Sequence, residues 1–349
     1  MWKEGCVLKT KVVTFGEIML RLKPPGLERF LQTPTFEATF GGGEANVAVS
    51  LANFGMDASF VTVLPDNDIA QACLRELRGF GVDVSGVALK DGRIGIYYLE
   101  AGAVQRPSKV IYDRAGSAIA SAQPGDIDWE KALRGAAWLH ITGITPAISE
   151  GAAALSIEAV KAAKALGLEV SCDLNYRKNL WKYGKRADQV MPEIVRLTDT
   201  IIANEEDFQK TLGISAESDV EGGMLDAEQY REVARAAMAA YPNVKRVAIT
   251  LRESRSASHN DWSACLYDGS FHVSRRYAIT HIVDRVGGGD SFSAGLIYGF
   301  NAYPEAKDAL EFAVAASCLK HTIGGDYNRV SVREVESLMK GSGSGRVQR

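Results

Sequence analysis

Asp284-Arg285-Val286-Gly287-Gly288-Gly289-Asp290 runs without a break into Ser291-Phe292-Ser293-Ala294-Gly295-Leu296-Ile297-Tyr298-Gly299-Phe300. Three consecutive glycines leave their backbone N–H groups unshielded, and the small, apolar residues behind them predict a buried helix. A glycine turn feeding a helix N-terminus is a ready anion site, because free N–H groups and the helix dipole point the same way. Asp290 stands where a carboxylate either caps that helix or accepts a proton. An isolated aspartate would be a cap; the second carboxylate at Asp284 and the triple glycine weigh towards a base. A phosphate cradle with a built-in base points to phosphoryl transfer, where a protein mainly positions the reactants and stabilises the moving oxygens.

Around this segment, short apolar strands alternate with longer helical patterns. Strands are predicted at 11–15, 58–64, 138–142, 168–172, 200–203 and 247–251, and helices at 45–54, 66–78, 151–165, 185–197, 204–212 and 227–241. Strands separated by helices of that length imply an α/β fold with a parallel sheet covered on both faces. Two stretches break the rhythm. Residues 19–40 and 94–114 carry strand formers such as Ile96, Tyr97, Tyr98 and Tyr112 with no helix between them, and predict antiparallel ribbons forming a small lid. Residues 253–261 are polar and read as irregular, leading into a hairpin over 262–273 that turns at Asp268-Gly269.

The chain has 349 residues, 46% of them hydrophobic and 24% charged, which is ordinary for a core-forming protein. That length suits one large α/β domain or two domains. A net charge of −3 argues against a nucleic-acid or membrane-surface partner. Cys6, Cys73, Cys172, Cys265 and Cys318 are odd in number and never form a C-x-x-C pair, so reduced thiols in a cytoplasmic protein are expected. No apolar run reaches the roughly 18 residues that would span a bilayer, and Lys9 and Lys11 interrupt any signal-peptide core. Residues 341–349 predict a flexible Gly/Ser tail.

Other motifs add to the first. In Gly41-Gly42-Gly43-Glu44-Ala45-Asn46, glycine allows close approach to a ligand and Asn46 offers a polyol both a donor and an acceptor. A plain strand-to-helix turn explains the same residues. Asn204-Glu205-Glu206-Asp207 follows an apolar strand, where carboxylates hold Mg²⁺ through water or merely complement a helix dipole. Taken alone, the helix start is the better reading. Arg114 with Tyr97 and Tyr112 on the ribbons, and Arg177 in Asp173-Leu174-Asn175-Tyr176-Arg177, would suit a substrate carboxylate if they converged, which spacing does not show. No P-loop, G-x-G-x-x-G fingerprint, histidine metal spacing or G-x-S-x-G elbow is present.

Together the two glycine motifs resemble the signatures of the ribokinase-like, PfkB family of carbohydrate kinases: Gly41-Gly42-Gly43-x-Ala45-Asn46-x-Ala48 the N-terminal one and Asp284-x-x-Gly287-Gly288-Gly289-Asp290 the C-terminal one. The likeness covers about 11–339. It implies a single three-layer domain over 11–340 with a mainly parallel central sheet and lid segments near 19–40 and 94–114. It also implies ATP and Mg²⁺, an anion hole at Gly287, Gly288 and Gly289, and Asp290 as base.

The segments Trp138-Leu139-His140-Ile141-Thr142-Gly143-Ile144-Thr145-Pro146, Asp173-Leu174-Asn175-Tyr176-Arg177 and Tyr112-x-Arg114 resemble the branch of that family acting on a keto-deoxy sugar acid. The implied reaction is ATP-dependent phosphorylation of 2-keto-3-deoxygluconate at its terminal hydroxyl, giving the 6-phosphate. A neutral sugar such as fructose or ribose is the alternative acceptor, and a non-catalytic sugar sensor a more distant one. By that resemblance Gly42, Asn46, Tyr97, Tyr112, Arg114, Arg177, Asp290 and Asp326 contact the acceptor. Asn204, Asp207 and Thr250 serve ATP and Mg²⁺, the metal reached through water by Asp207 or Glu206; whether a monovalent cation sits near Asp284 the sequence leaves open. This chain departs from the family in having Asp207 where the family's N-x-x-E has glutamate, Arg285 where Thr or Pro is usual, and polar residues over 252–261 where nucleotide binds. Lid edges invite pairing between subunits, so a homo-oligomer is expected.

Overall fold

The computed structural model describes residues 10–215 and 227–341; Cys6, Lys9 and 342–349 lie outside them. Strands β1 (Lys11–Phe15), β2 (Met19–Lys23) and β3 (Glu37–Gly41) precede helix α1 (Gly43–Asn53). Then come β4 (Asp57–Val61), β5 (Val63–Leu64), α2 (Asp68–Gly79), β6 (Ala88–Leu89), β7 (Gly95–Glu100) and β8 (Lys109–Asp113). The middle of the chain alternates through α3 (Trp129–Ala132), β9 (Trp138–Thr142), α4 (Glu150–Ala165), β10 (Glu169–Asp173), α5 (Ala187–Val195), β11 (Thr200–Ala203), α6 (Glu205–Leu212) and α7 (Ala227–Ala240). β12 (Arg246–Ser256), β13 (His259–Tyr267), β14 (Phe271–Val273), β15 (Tyr277–Ile279), α8 (Gly288–Ala302), α9 (Ala306–Lys320) and α10 (Val332–Met339) complete it.

The central sheet runs β14-β13-β12-β11-β10-β9-β1-β4, with β15 beside β13. From β4 to β12 every neighbouring pair is parallel, and β13, β14 and β15 close that edge antiparallel. Alternate residues of β1 explain the apolar run. Val13 and Phe15 pack on one side with Leu155 of α4 and Ile194 of α5, while Val12 packs on the other with Leu51 of α1 and Phe312 of α9. A strand buried on both faces favours apolar residues on each, and the polar exception, Thr14, donates to the Glu44 carbonyl at 2.8 Å. The result is helix, sheet, helix.

The lid is a four-stranded sheet of order β3-β2-β7-β8. Both ribbons are antiparallel as expected, β2 with β3 and β7 with β8, and they join through a parallel pair that was not foreseen, β2 with β7, Met19 opposite Gly95 and Leu22 opposite Tyr98. Parallel pairing is open to them because α1, β4 and α2 intervene, supplying the long crossover such a pair requires. The whole of β8 is exposed, with Val110, Ile111 and Tyr112 among its residues.

The polar stretch 253–261 is not irregular either. β12 continues to Ser256 and β13 starts at His259, with a register shift between Ser254 and Ser256. Ion pairs from Arg255 and Arg276 to Asp261, each 2.6 Å, hold this hairpin in place of apolar packing. Among the described residues no helix is long and apolar enough to cross a membrane, and Cys73, Cys172, Cys265 and Cys318 are free.

Candidate active site

A cleft of about 1360 Å³ lies at the C-terminal ends of the parallel strands, beneath the lid, where open α/β sheets bind ligands. The residues singled out in the sequence border it together. From the N-terminal half come Gly42, Asn46, Tyr97, Tyr112 and Arg114. Arg177, Asn204, Glu206, Asp207 and Thr250 come from the middle, and Gly287, Gly288, Gly289, Asp290 and Asp326 from the C-terminal part. Asp284 faces away, towards a smaller cavity of about 400 Å³ behind the lid sheet.

The glycine turn caps α8. Gly287 is the N-cap at φ +82°, a left-handed conformation that favours glycine, and a Cβ there would sit 2.0 Å from the Asp326 carbonyl oxygen. A side chain at Gly289 would meet nothing within 4 Å, so this edge of the turn is open for an anion to approach the first-turn N–H groups.

Asp290 occupies the first turn of α8, yet its carboxylate does not cap the helix. Asp290 Oδ2 accepts a 2.7 Å bond from Asn46 Nδ2, while Asn46 Oδ1 accepts from the Gly42 N–H at 3.3 Å. Asn46 therefore orients Asp290 across the cleft, linking the two glycine motifs. Burial raises the Asp290 carboxyl to about 6; the Asn46 bond opposes this, Asp326 adds to it, and Arg177 and Lys320 offset it. A carboxylate poised there is ionised at neutral pH and still basic enough to take a proton from a hydroxyl as it attacks.

The arginines do not converge as two free guanidiniums. Arg114 is buried and bonds Glu17 Oε2 through both Nε and Nη2, the former at 2.7 Å, while Ser117 donates to Glu17 Oε1 at 2.9 Å. Its guanidinium stands 5.4 Å from the centre of the Tyr112 ring. Arg177 is exposed in the cleft, and its bond is to the Tyr176 carbonyl oxygen at 3.1 Å. Asp173, Asp207 and Asp290 all feel its charge.

Asn204 and Asp207 form the helix start expected of these residues. Asn204 Oδ1 accepts from the Asp207 N–H and Asp207 Oδ2 from the Asn204 N–H, both at 3.0 Å. Asp207 Oδ1 also accepts from the Tyr176 N–H at 2.9 Å. Glu206, the next carboxylate, is exposed and borders the cleft, and Thr250 donates to the Ala203 carbonyl at 3.4 Å. Among the described residues no group of three or more His, Cys, Asp or Glu could hold a metal ion. This donor set fits a magnesium that arrives on phosphates and keeps most of its water, touching only one or two carboxylates.

Sequence reasoning missed a buried charge network behind the turn. Arg21 of lid strand β2 donates from Nη1 to Asp326 Oδ1 at 2.6 Å and from Nη2 to Asp284 Oδ2 at 2.5 Å. Tyr97 donates to Asp326 at 2.6 Å, so both are engaged with each other at the cleft wall. Asp284 Oδ1 accepts from the Val286 N–H at 3.1 Å and Oδ2 from the Gly325 N–H at 3.2 Å. The Arg21 guanidinium thus places a positive charge directly beside Asp284. Lys320 is wholly buried nearby, its Nζ donating to the Ile323 carbonyl at 3.1 Å. The signal for Arg21 was its place two residues from Met19 on one strand face, a charge in register with an apolar residue.

Glu44 was also passed over. Its Oε1 accepts from the Thr142 N–H at 3.1 Å, Thr142 Oγ1 at 2.8 Å and Thr145 Oγ1 at 3.0 Å, and burial raises its carboxyl to about 7. It ties α1 to the end of β9 beneath the cleft floor.

The pfkB family carbohydrate kinase model matches residues 9–331 of this sequence. The chain belongs to the pfkB family of carbohydrate kinases. Two relatives sharpen the comparison. A 2-dehydro-3-deoxygalactonokinase of Haloferax volcanii is 31% identical over 97% of this chain and 99% of its own length. A 2-dehydro-3-deoxygluconokinase of Thermoproteus tenax is 28% identical over 97% of each. Among solved structures, the 2-dehydro-3-deoxygluconokinase of Thermotoga maritima superimposes with a TM-score of 0.89 at 50% identity, covering 95% of this kinase and 99% of that chain. The pfkB kinase described here shares with it the ribokinase-like α/β fold.

Proposed function

We propose that this carbohydrate kinase transfers the terminal phosphoryl group of ATP to the terminal hydroxyl of 2-keto-3-deoxygluconate, forming ADP and the 6-phosphate. The carrying observation is the joint presence in one cleft of Asp290, oriented by Asn46, and Arg177, which has no carboxylate partner among the described residues. The acceptor oxygen attacks the γ-phosphorus, the bond from that phosphorus to the β-γ bridging oxygen breaks, and the hydroxyl proton passes to Asp290. N–H groups of the 287–290 turn hold the transferring oxygens, where loss of a comparable donor costs roughly 3–4 kcal/mol of transition-state stabilisation. Arg177 binds the substrate carboxylate, and Tyr112 with the Arg114–Glu17 pair forms the lid side of the pocket. Tyr97 and Asp326, fixed by Arg21, form its wall beside Gly42. Glu206, helped by Asp207 through water, would hold Mg²⁺, which supplies charge neutralisation on the phosphates. The lid excludes water, limiting wasteful hydrolysis of ATP. Two 2-dehydro-3-deoxygluconokinases and one galactono relative support a sugar acid over a neutral sugar.

A coupled ADP-release assay over 2-keto-3-deoxygluconate, its galacto epimer, fructose and ribose tests this reading. A kcat/KM on 2-keto-3-deoxygluconate at least about tenfold above the neutral sugars is expected; preference for fructose or ribose overturns the sugar-acid assignment, preference for the galacto epimer overturns the gluco assignment, and no ADP with any sugar leaves only a sensor. Arg177→Ala should raise KM for the sugar acid by roughly 10–100-fold, the range of a charge-assisted bidentate contact of about 1.5–3 kcal/mol. It should change KM for a neutral sugar little, and equal effects on both would remove Arg177 as the carboxylate's partner.

The pH profile follows from Asp290. Because its pKa is raised to about 6 and the ionised form is the base, kcat/KM should fall about tenfold per pH unit below 6 and level off above it. An acid limb near 4 in Asp290-dependent turnover would contradict that environment.

A further inference from the structure

Among the described residues five arginines border the cleft, and they divide by partner. Arg114 is held by Glu17, and Arg276 by Glu253 and Asp261. Arg177 bonds a carbonyl oxygen beside it, and Arg285 donates to the Ala257 carbonyl at 2.6 Å and the Ser256 carbonyl at 3.3 Å, so neither forms an ion pair among the described residues. Arg252 has no carboxylate partner among the described residues. Its neighbour Glu253 and the facing Asp261 are already engaged by Arg255 and Arg276, so its own hairpin leaves it no counter-charge.

Position matters as much as pairing. Arg252 lies on β12 three residues past Ile249, the last residue paired with the parallel neighbour β11, and its backbone pairs with Trp262 of β13. It therefore stands at the ligand-binding end of the sheet. Arg285 lies two residues before Gly287 and is pinned to the loop that joins β12 to β13, which brings this hairpin to the anion turn. The positive charges of Arg285 and Arg177 both disfavour the charged form of Arg252, after burial, so the three act on one region of the cleft. Like charges gathered in one region repel, and a polyanion turns that repulsion into attraction. The sugar acid brings one negative charge; the phosphate chain of ATP brings several on adjacent oxygens, and a planar guanidinium matches them in pairs.

We propose that Arg252 grips the phosphate chain of the nucleotide, donating to its non-bridging oxygens beside the 287–290 turn, and balances the charge that shifts towards ADP as the phosphoryl group leaves. The proposal rests on ATP as the donor in the reading above. It assigns a catalytic cation to a stretch whose polar sequence departs from the family's nucleotide-binding pattern.

The test uses the full chain, with wild type, Arg252→Met and Arg252→Lys compared by calorimetric titration with ADP, AMP and adenosine and by steady-state kinetics. Arg252→Met should weaken ADP at least about tenfold and lower kcat, by analogy with transferring-phosphate arginines whose loss costs 10³ or more in extreme cases. Adenosine affinity and KM for the sugar acid should stay within about twofold, which also reports an intact fold. Arg252→Lys should recover part of the ADP affinity, since it keeps the charge but loses the paired geometry. ADP affinity in Arg252→Met within twofold of wild type overturns the proposal. So does a raised KM for the sugar acid with ADP unchanged, which would place Arg252 on the acceptor. Wild type that fails to bind ADP at all overturns the donor assignment beneath it.

Discussion

Asp290→Asn is expected to lower kcat by at least about 10²-fold, the lower end of what a positioned base contributes, while the dissociation constant for the sugar acid stays within a few-fold of wild type. The substitution is close to isosteric and removes only the capacity to take a proton. Gly287, not Asp290, caps α8, and the carboxylate makes its bond to Asn46 rather than to helix backbone, so the helix does not depend on its charge. Burial already disfavours that charge and raises its pKa to about 6, so neutralising the residue should not unfold the protein. Stopped-flow or quenched single-turnover measurements at saturating ATP isolate the transfer step from product release. Turnover near that of wild type would remove Asp290 as the base and leave it a positioning group for Asn46. Asn46→Ala serves as the companion: it keeps the carboxylate and loses its orientation, so its kcat should fall less than that of Asp290→Asn.

Much of the frame was legible because its signals are local. Lys11–Phe15, Trp138–Thr142 and Thr200–Ala203 are strands over the residues predicted, since an apolar run between helical patterns leaves little room for another register. The glycine turns were legible for a similar reason: backbone that must lie open to an anion excludes most side chains. Partners distant in sequence were not. Nothing local reveals that Arg114 is held by Glu17, 97 residues away, or that Arg21 meets Asp284 and Asp326, 263 and 305 residues distant. The parallel pairing of β2 with β7 escaped for the same reason, as register between distant strands is set by tertiary packing. Asp207 shows the opposite case. Its helix-start chemistry with Asn204 is local, and the structure has it bonded that way.

Arg21→Met should destabilise the fold by about 3–5 kcal/mol, the range for breaking a buried ion pair from one side. The side chain is 2% exposed and is the cation bonded to both Asp284 and Asp326, two buried carboxylates that repel each other. Methionine fills much of the volume but leaves both carboxylates without their shared partner, and the lid strand β2 loses its tie to the turn before α8. Lys320 lies near both but donates to the Ile323 carbonyl, so it does not replace the guanidinium. The pH dependence has a definite sign. Burial raises the Asp326 pKa and Arg21 holds it down, so in Arg21→Met that pKa climbs further. A raised folded-state pKa means that stability present at low pH, where the carboxyl is protonated, is lost as pH rises through it. The deficit against wild type, read from urea midpoints, should therefore be smaller near pH 5 than near pH 8. Arg21→Met combined with Asp326→Asn should recover part of the loss, because one of the unpaired charges is gone. A midpoint equal to that of wild type at both pH values, or a double substitution no more stable than the single one, would show that the network does not hold the lid to the anion turn.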